Sequence, residues 1–276
     1  MKRILYIACG FDGGKSGISV YMLETLRRLA KNNRLTVVTT EADRKFLPTH
    51  GNIRYHQLAK WWNRPLWNML YVWFFLPWSF RRKDFDFLLL PAANRRAPWF
   101  KRFFTIAVVH DLSQYHVEAK YDFFRMFYIT RLLPLAVRKA DRVVAISDST
   151  RKDLRRYWHI PDERLEVIWN GCDLSRYTPR AECGEKERIR KLLGIKGEYL
   201  LYLSRIEHPG KNHVRLLEAF SQLAPELQQK YTLVLAGADW SGAAEAKFIP
   251  DFNGEGVQAP ADPDPCPAGN EIGKSL

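Results

Sequence analysis

Short apolar runs recur along the chain, each followed by a polar or glycine-rich stretch and then by residues at helical spacing. Ile4–Ala8, Leu35–Thr40, Ile53–His56, Phe87–Leu90, Thr105–Val109, Arg142–Ile146 and Leu165–Trp169 read as buried strands. Between them, Ser19–Lys31 predicts a helix with Val20, Leu23, Leu26 and Leu29 or Ala30 on its inner face. Phe123–Lys139 and Arg151–Trp158 predict two more, the latter started by the cluster Ser147-Asp148-Ser149. Asn170-Gly171 reads as a tight turn and Tyr177–Gly184 as a linker. A second alternation comes next: a helix over Lys186–Leu193, then buried strands at Tyr199–Leu203 and Thr232–Leu235. Between those strands Asn212 is placed to cap a helix carrying Val214, Leu216, Leu217, Phe220 and Leu223. The pattern predicts an α/β protein of two Rossmann-like domains, residues 1–178 and 185–240, with a cleft between them.

Composition changes this picture at the C-terminal end. Residues 241–276 contain six acidic and two basic side chains and five prolines, with no apolar period, and read as a disordered tail. The 276-residue chain has net charge +13, so everything before the tail is about +17, a field that favours nucleotides, nucleic acid or an acidic membrane surface. No nucleic-acid recognition motif appears and the basic residues are scattered along helices, which argues against nucleic acid. Four dispersed cysteines without a CxxC pair fit neither structural zinc nor a disulfide framework, and no signal peptide is visible, so a cytoplasmic setting is expected. One stretch does not fit a simple core. Trp61–Phe80 holds five tryptophans beside Arg64, Arg81, Arg82 and Lys83. Its uninterrupted apolar part is far short of the ~20 residues that a membrane span takes. Burial as a core helix is the default reading, because a buried helix is apolar all round. An aromatic surface leaning into a membrane interface is the alternative.

Candidate chemistry gathers where strands end. The turn Gly10–Gly17 joins the first strand to the first helix, and glycine there lets a backbone approach a phosphate at a helix N-terminus. It is neither a dinucleotide GxGxxG nor a P-loop, since Cys9 stands where the latter needs glycine. His110-Asp111 closes the fifth strand, with His116 a rival in the same loop; a histidine bonded locally to steady that loop is the plainer reading. Ser147 either faces the same edge or simply caps its helix. Arg205 and Lys211 come after the strand Tyr199–Leu203, and two fixed cations there fit a phosphate or diphosphate.

The order of these pieces resembles the retaining glycosyltransferases of the GT-B group, family 4. It rests on the glycine loop Gly13-Gly14-Lys15-Ser16-Gly17 (GGxxG) continuing into Ser19-Val20, VVHDL at 108–112, ADRVVAISDSTRKDL at 140–154, VIWNGCDLSRY at 167–177 and LYLSRIEHPGKNHVRLLEAF at 201–220. The resemblance implies transfer of a sugar from a nucleotide-sugar donor (GDP-mannose or a UDP-sugar) to a glycan or lipid-linked acceptor. It implies retention at the anomeric carbon and neither metal nor cofactor. Lipopolysaccharide, O-antigen or exopolysaccharide assembly is the implied setting, peripheral at the inner face of the cell membrane. By residue, it implies that Arg205 and Lys211 stabilise the leaving diphosphate and that His110 lies beside the transferred sugar. Gly14, Gly17, Asp111 and Ser147 are implied donor- or acceptor-binding positions.

The chain departs from the family after Ala238. The E-x7-E element expected to hold sugar and ribose is missing; Glu245 and Glu255 are ten apart in the tail and Glu271 stands alone. The second domain therefore reads as incomplete, and a chain of this sequence is expected to be poorly stable, with little or no turnover. A frameshift or early stop would explain the switch near residue 241. The competing reading is a non-catalytic α/β module that binds an acceptor or partner.

Overall fold

A computed structural model describes residues 1–117, 122–179, 184–192, 194–195, 197–206 and 210–237. The residues fall into two compact units, Met1–Cys172 and Asp173–Leu276. The tail from 241 onward lies outside the described residues.

The first unit is built on seven parallel strands: β1 (Arg3–Ile7), β2 (Arg34–Thr40), β3 (Ile53–Leu58), β4 (Phe87–Leu90), β5 (Thr105–Val109), β6 (Arg142–Ala145) and β7 (Leu165–Val167). Their order across the sheet is β3-β2-β1-β4-β5-β6-β7. The chain winds outward from β1 to β3, then crosses to β4 and winds the other way. Successive residues of β1 go to opposite faces: Leu5 and Ile7 join one core, Ile4, Tyr6 and Ala8 the other. Both faces are covered, so the inner strands are apolar nearly throughout.

Helix α1 (Gly17–Asn32) starts two residues before the predicted position, where Ser16 accepts a hydrogen bond from the Ser19 N–H. Its buried face is Ser19, Met22, Leu26 and Ala30. Val20, assigned inward from the sequence, is 49% exposed. The Tyr6 hydroxyl bonds the Met22 carbonyl (3.1 Å) and Thr25 Oγ1 (2.8 Å), and Ser19 Oγ donates to Asp12 (2.5 Å). The inner face thus carries polar groups that a hydrophobic count skips.

Trp61–Phe80 is not the all-round buried helix of the default reading. It breaks into a 3₁₀ turn (Lys60–Asn63), a helix (Pro65–Leu70), a π-helical turn (Tyr71–Phe75) and a last helical turn (Leu76–Ser79). Trp62, Tyr71, Val72 and Leu76 are buried, while Trp61, Trp67, Phe74, Phe75 and Trp78 are exposed. Phe123–Lys139 behaves alike: helix Phe123–Phe127, π turn Tyr128–Leu132, helix Leu133–Val137. Each π turn runs directly into a helix with proline at its second residue, Pro77 or Pro134. Proline offers no N–H and its ring crowds the carbonyl one turn back, so the preceding turn widens.

Helix α2 (Asp148–Trp158) packs Leu154 and Trp158 into the core and ends at His159 in the left-handed conformation (φ 48°).

The second unit contains a helix at Glu185–Leu192 and a parallel pair, β8 (Glu198–Leu203) and β9 (Tyr231–Ala236), linked through α3 (His213–Ser221). Its strands were expected to be buried, yet Leu200, Leu201 and Leu203 of β8 are exposed. Among the described residues, these two strands with α3 and the short helix Pro225–Lys230 cover too little of either face. Helix α3 buries His213, Leu217 and Phe220. Asn212 stands at its N-cap position but is left-handed (φ 55°) and makes no side-chain cap bond, contrary to the predicted role. Gly237 (φ 151°) lies so close to the end of β8 that a Cβ would stand 1.9 Å from the Ser204 carbonyl oxygen, so only glycine fits.

Candidate functional site

The reversal of strand order between β1 and β4 opens a crevice outside the carboxyl ends of those strands, where open α/β sheets bind ligands. Three loops meet there: after β1, after β4 and after β5. Each is tied to the next by a side chain.

The loop after β1 is held from within by Asp12. Its Oδ1 accepts from the Ser16 N–H (3.2 Å) and from Ser19 Oγ. Burial pushes this carboxyl up, but hydrogen bonds from Ser16 and Ser19 and the Arg95 guanidinium outweigh burial and leave it below the usual carboxylate range. Arg95, from the loop after β4, donates to the Gly10 carbonyl (2.7 Å), to Asp12 Oδ2 (3.4 Å) and to Ser16 Oγ (3.2 Å). One guanidinium therefore spans the whole turn, a use of its planar fork that lysine does not match. Gly14 has φ +86° and open space around its missing Cβ, so this turn is open on that side and its backbone conformation favours glycine. Gly17 opens α1 with similar open space but an ordinary φ.

His110 joins the β5 loop to the β4 loop. It is only 5% exposed, and its Nε2 lies 2.8 Å from the Pro91 carbonyl oxygen. A carbonyl can only accept, so Nε2 carries the proton and Nδ1 is the free-pair nitrogen of a neutral ring. Burial holds the imidazole below its ordinary pKa. Tyr21 of α1 meets the ring edge-on at 4.8 Å, and Thr150 of α2 donates to the His110 carbonyl (2.9 Å). The loop-steadying reading is therefore too local, because the bond of this side chain reaches nineteen residues back to another strand's loop. His116, the rival, is exposed and pairs with Asp153 at 2.8 Å. Asp111 accepts from the Ser113 N–H (3.1 Å) and shapes the next turn. Ser147 caps α2, accepting from the Thr150 N–H (3.1 Å).

The first unit thus brings His110, Asp111, Ser147, Gly14 and Gly17 to one sheet edge. Arg205 and Lys211 belong to the second unit. Arg205 lies two residues beyond β8 and is partly buried. Lys211 is exposed, and its carbonyl accepts from the Tyr202 hydroxyl (2.9 Å). Beside it, His213 Nε2 is 3.2 Å from Ser204 Oγ. Sequence reasoning missed Asp12, Tyr21 and Arg95. Only Asp12, inside the glycine turn, carried a local signal; Arg95 becomes relevant once β4 is known to lie beside β1. Cys9 is buried at this edge, and burial pushes its thiol up to about 12, which makes it inert.

A doubly wound sheet with a glycine turn and a buried neutral histidine at its switch point defines an α/β Rossmann-like protein of the GT-B type. The model of glycosyltransferase family 4 matches residues 15–176, and the chain belongs to that family. The serotype-specific mannosyltransferase WbdA of Escherichia coli is 31% identical over 150 residues, covering 53% of this chain and 17% of that protein. The O-antigen chain mannosyltransferase B of Escherichia coli is 26% identical over 132 residues, 48% of this chain and 34% of the relative. Among solved structures, Anabaena HepE in complex with UDP and glucose aligns with a TM-score of 0.60 at 17% identity, over 90% of this chain and 64% of that one. The chain therefore spans well under half the length of these curated relatives.

Proposed function

We propose that the chain serves a glycosyl transfer from a nucleoside-diphosphate sugar to a glycan or lipid-linked acceptor, with retention, in O-antigen or lipopolysaccharide assembly. GDP-mannose is the first choice of donor, because the relatives WbdA and O-antigen chain mannosyltransferase B are named mannosyltransferases. A UDP-sugar is the second, since HepE was solved with UDP and glucose. The observation that carries the reading is His110: a buried, neutral imidazole fixed between two loops at the switch point of a family 4 sheet. In the transfer, the bond between the anomeric carbon and the diphosphate oxygen breaks while the acceptor hydroxyl oxygen bonds that carbon; the acceptor's proton passes to the leaving diphosphate, which gathers negative charge as it departs. Arg205 and Lys211 stabilise that charge, and no resident cofactor is needed. Gly14 and Gly17 leave room for donor or acceptor. Ser147 and Asp111 act mainly by shaping the edge that receives the acceptor.

The test is GDP-mannose labelled in the sugar, incubated with the protein and a lipid extract. Label moving into the lipid or glycan fraction, and lost in His110→Ala, supports transfer. Donor bound without label transfer supports the non-catalytic module instead, and label that moves equally in both proteins removes His110 from the reaction.

A further inference from the structure

We propose that the face formed by residues 60–83 and 99–104 docks the first unit onto an anionic lipid surface. The exposed rings there form neighbouring groups along one segment, brought next to each other in the chain by the consecutive Phe74 and Phe75. Trp61 stacks on Trp62 at 3.8 Å and meets Trp67 at 5.7 Å; Trp62 reaches Phe75 at 5.5 Å. Phe74 meets Phe100 at 6.2 Å, and Arg102 lies over the Trp78 ring at 4.3 Å. Trp61 is 53% exposed and Trp78 63%. The widened turn at Tyr71–Phe75 is what puts Phe74 and Phe75 outside while Tyr71 and Val72 stay in the core.

Along the tryptophan-rich stretch itself the charge has a single sign. Residues 59–83 carry Lys60, Arg64, Arg81, Arg82 and Lys83 and no carboxylate; the first one, Asp84, comes immediately after them. Tryptophan with lysine and arginine is the side-chain set that settles at the headgroup level, ring among the acyl boundary and cation at the phosphates. The charge also argues against a second copy of this chain as occupant, since like rims would face each other across the patch. Among the described residues no helix is long and apolar enough to cross a membrane, so the association inferred is peripheral. It concerns a surface of the first unit and needs no donor, acceptor or turnover.

The experiment is flotation of the intact chain with vesicles of phosphatidylcholine alone and of equal parts phosphatidylcholine and phosphatidylglycerol. Tryptophan emission is monitored with brominated lipid as quencher. The intact chain floats with the anionic vesicles, its emission shifts to the blue and is quenched, and neutral vesicles leave it behind. Replacing Arg81, Arg82 and Lys83 together by glutamine lowers partitioning on the order of a hundredfold, since each cation near an anionic surface contributes roughly a factor of five. Trp61→Ala with Trp78→Ala lowers it at least about tenfold. These side chains are exposed, so far-ultraviolet circular dichroism should match the parent. Failure of the parent to float with anionic vesicles overturns the proposal, and so does equal flotation by the variants. A dimer that dissolves in the tryptophan variant, without vesicle binding by the parent, assigns the patch to self-association and overturns it as well.

Discussion

His110 is held neutral by burial and pinned by a backbone carbonyl, and both facts have consequences that can be measured. The unfolded chain takes up a proton at this histidine below the ordinary imidazole value of 6.5, while the folded chain resists it. Stability is therefore unaffected by His110 above that value and falls as pH drops below it, until the folded ring also protonates. Urea titrations across this range should show the loss, and His110→Gln should reduce it. Arg95 presents a different case, because its ion pair with Asp12 is part-exposed and modest in energy. Arg95→Ala should cost only about 1 kcal/mol of stability. Its larger effect should be on the turn it spans, seen as faster amide exchange at residues 13–17 than in the parent. Ser147→Ala removes a cap and should cost about 1 kcal/mol in denaturant titration. If Ser147 acts only as a cap, transfer per folded molecule is unchanged.

At the scale of elements, strands were legible because both faces of a parallel sheet are buried and short apolar runs have little else to be. Helix faces were less so. The inward face of α1 includes Ser19, whose hydroxyl is consumed by Asp12, and a hydrophobic count therefore turns the helix toward Val20. This rotation is testable: Met22→Ala should cost about 2–5 kcal/mol, and Val20→Ala should stay within about 0.5 kcal/mol. The aromatic segments escape a periodic reading for a related reason. Periodicity assumes a constant turn, and the widened turns before Pro77 and Pro134 rotate one half of each segment against the other; Phe124, 82% exposed, lies on such a segment. The candidate site was half legible. Gly14, His110 and Ser147 sit at strand or helix ends that sequence reveals, whereas the bonds from Arg95 to Gly10 and from His110 to Pro91 depend on the order of strands in the sheet.

Across the whole molecule, the two units differ in how they are held. The large buried clusters belong to the first unit, where β1, β4 and β5 lie between covered faces. In the second, Leu217 and Phe220 of α3 are buried while β8 stays open to solvent. Hydrogen exchange should accordingly be slowest in β1, β4 and β5 and faster by orders of magnitude in β8 and β9. Yet the less protected unit carries Arg205 and Lys211, the cations proposed to receive the diphosphate. The measurement that tests the central claim most directly is therefore a calorimetric titration of the intact chain with GDP-mannose, with GDP as competitor. The expected result is saturable binding, displaced by GDP and weakened roughly tenfold each by Arg205→Ala and Lys211→Ala, as loss of a charge-assisted contact implies. No heat with GDP-mannose or a UDP-sugar, or equal affinity in both variants, would contradict it.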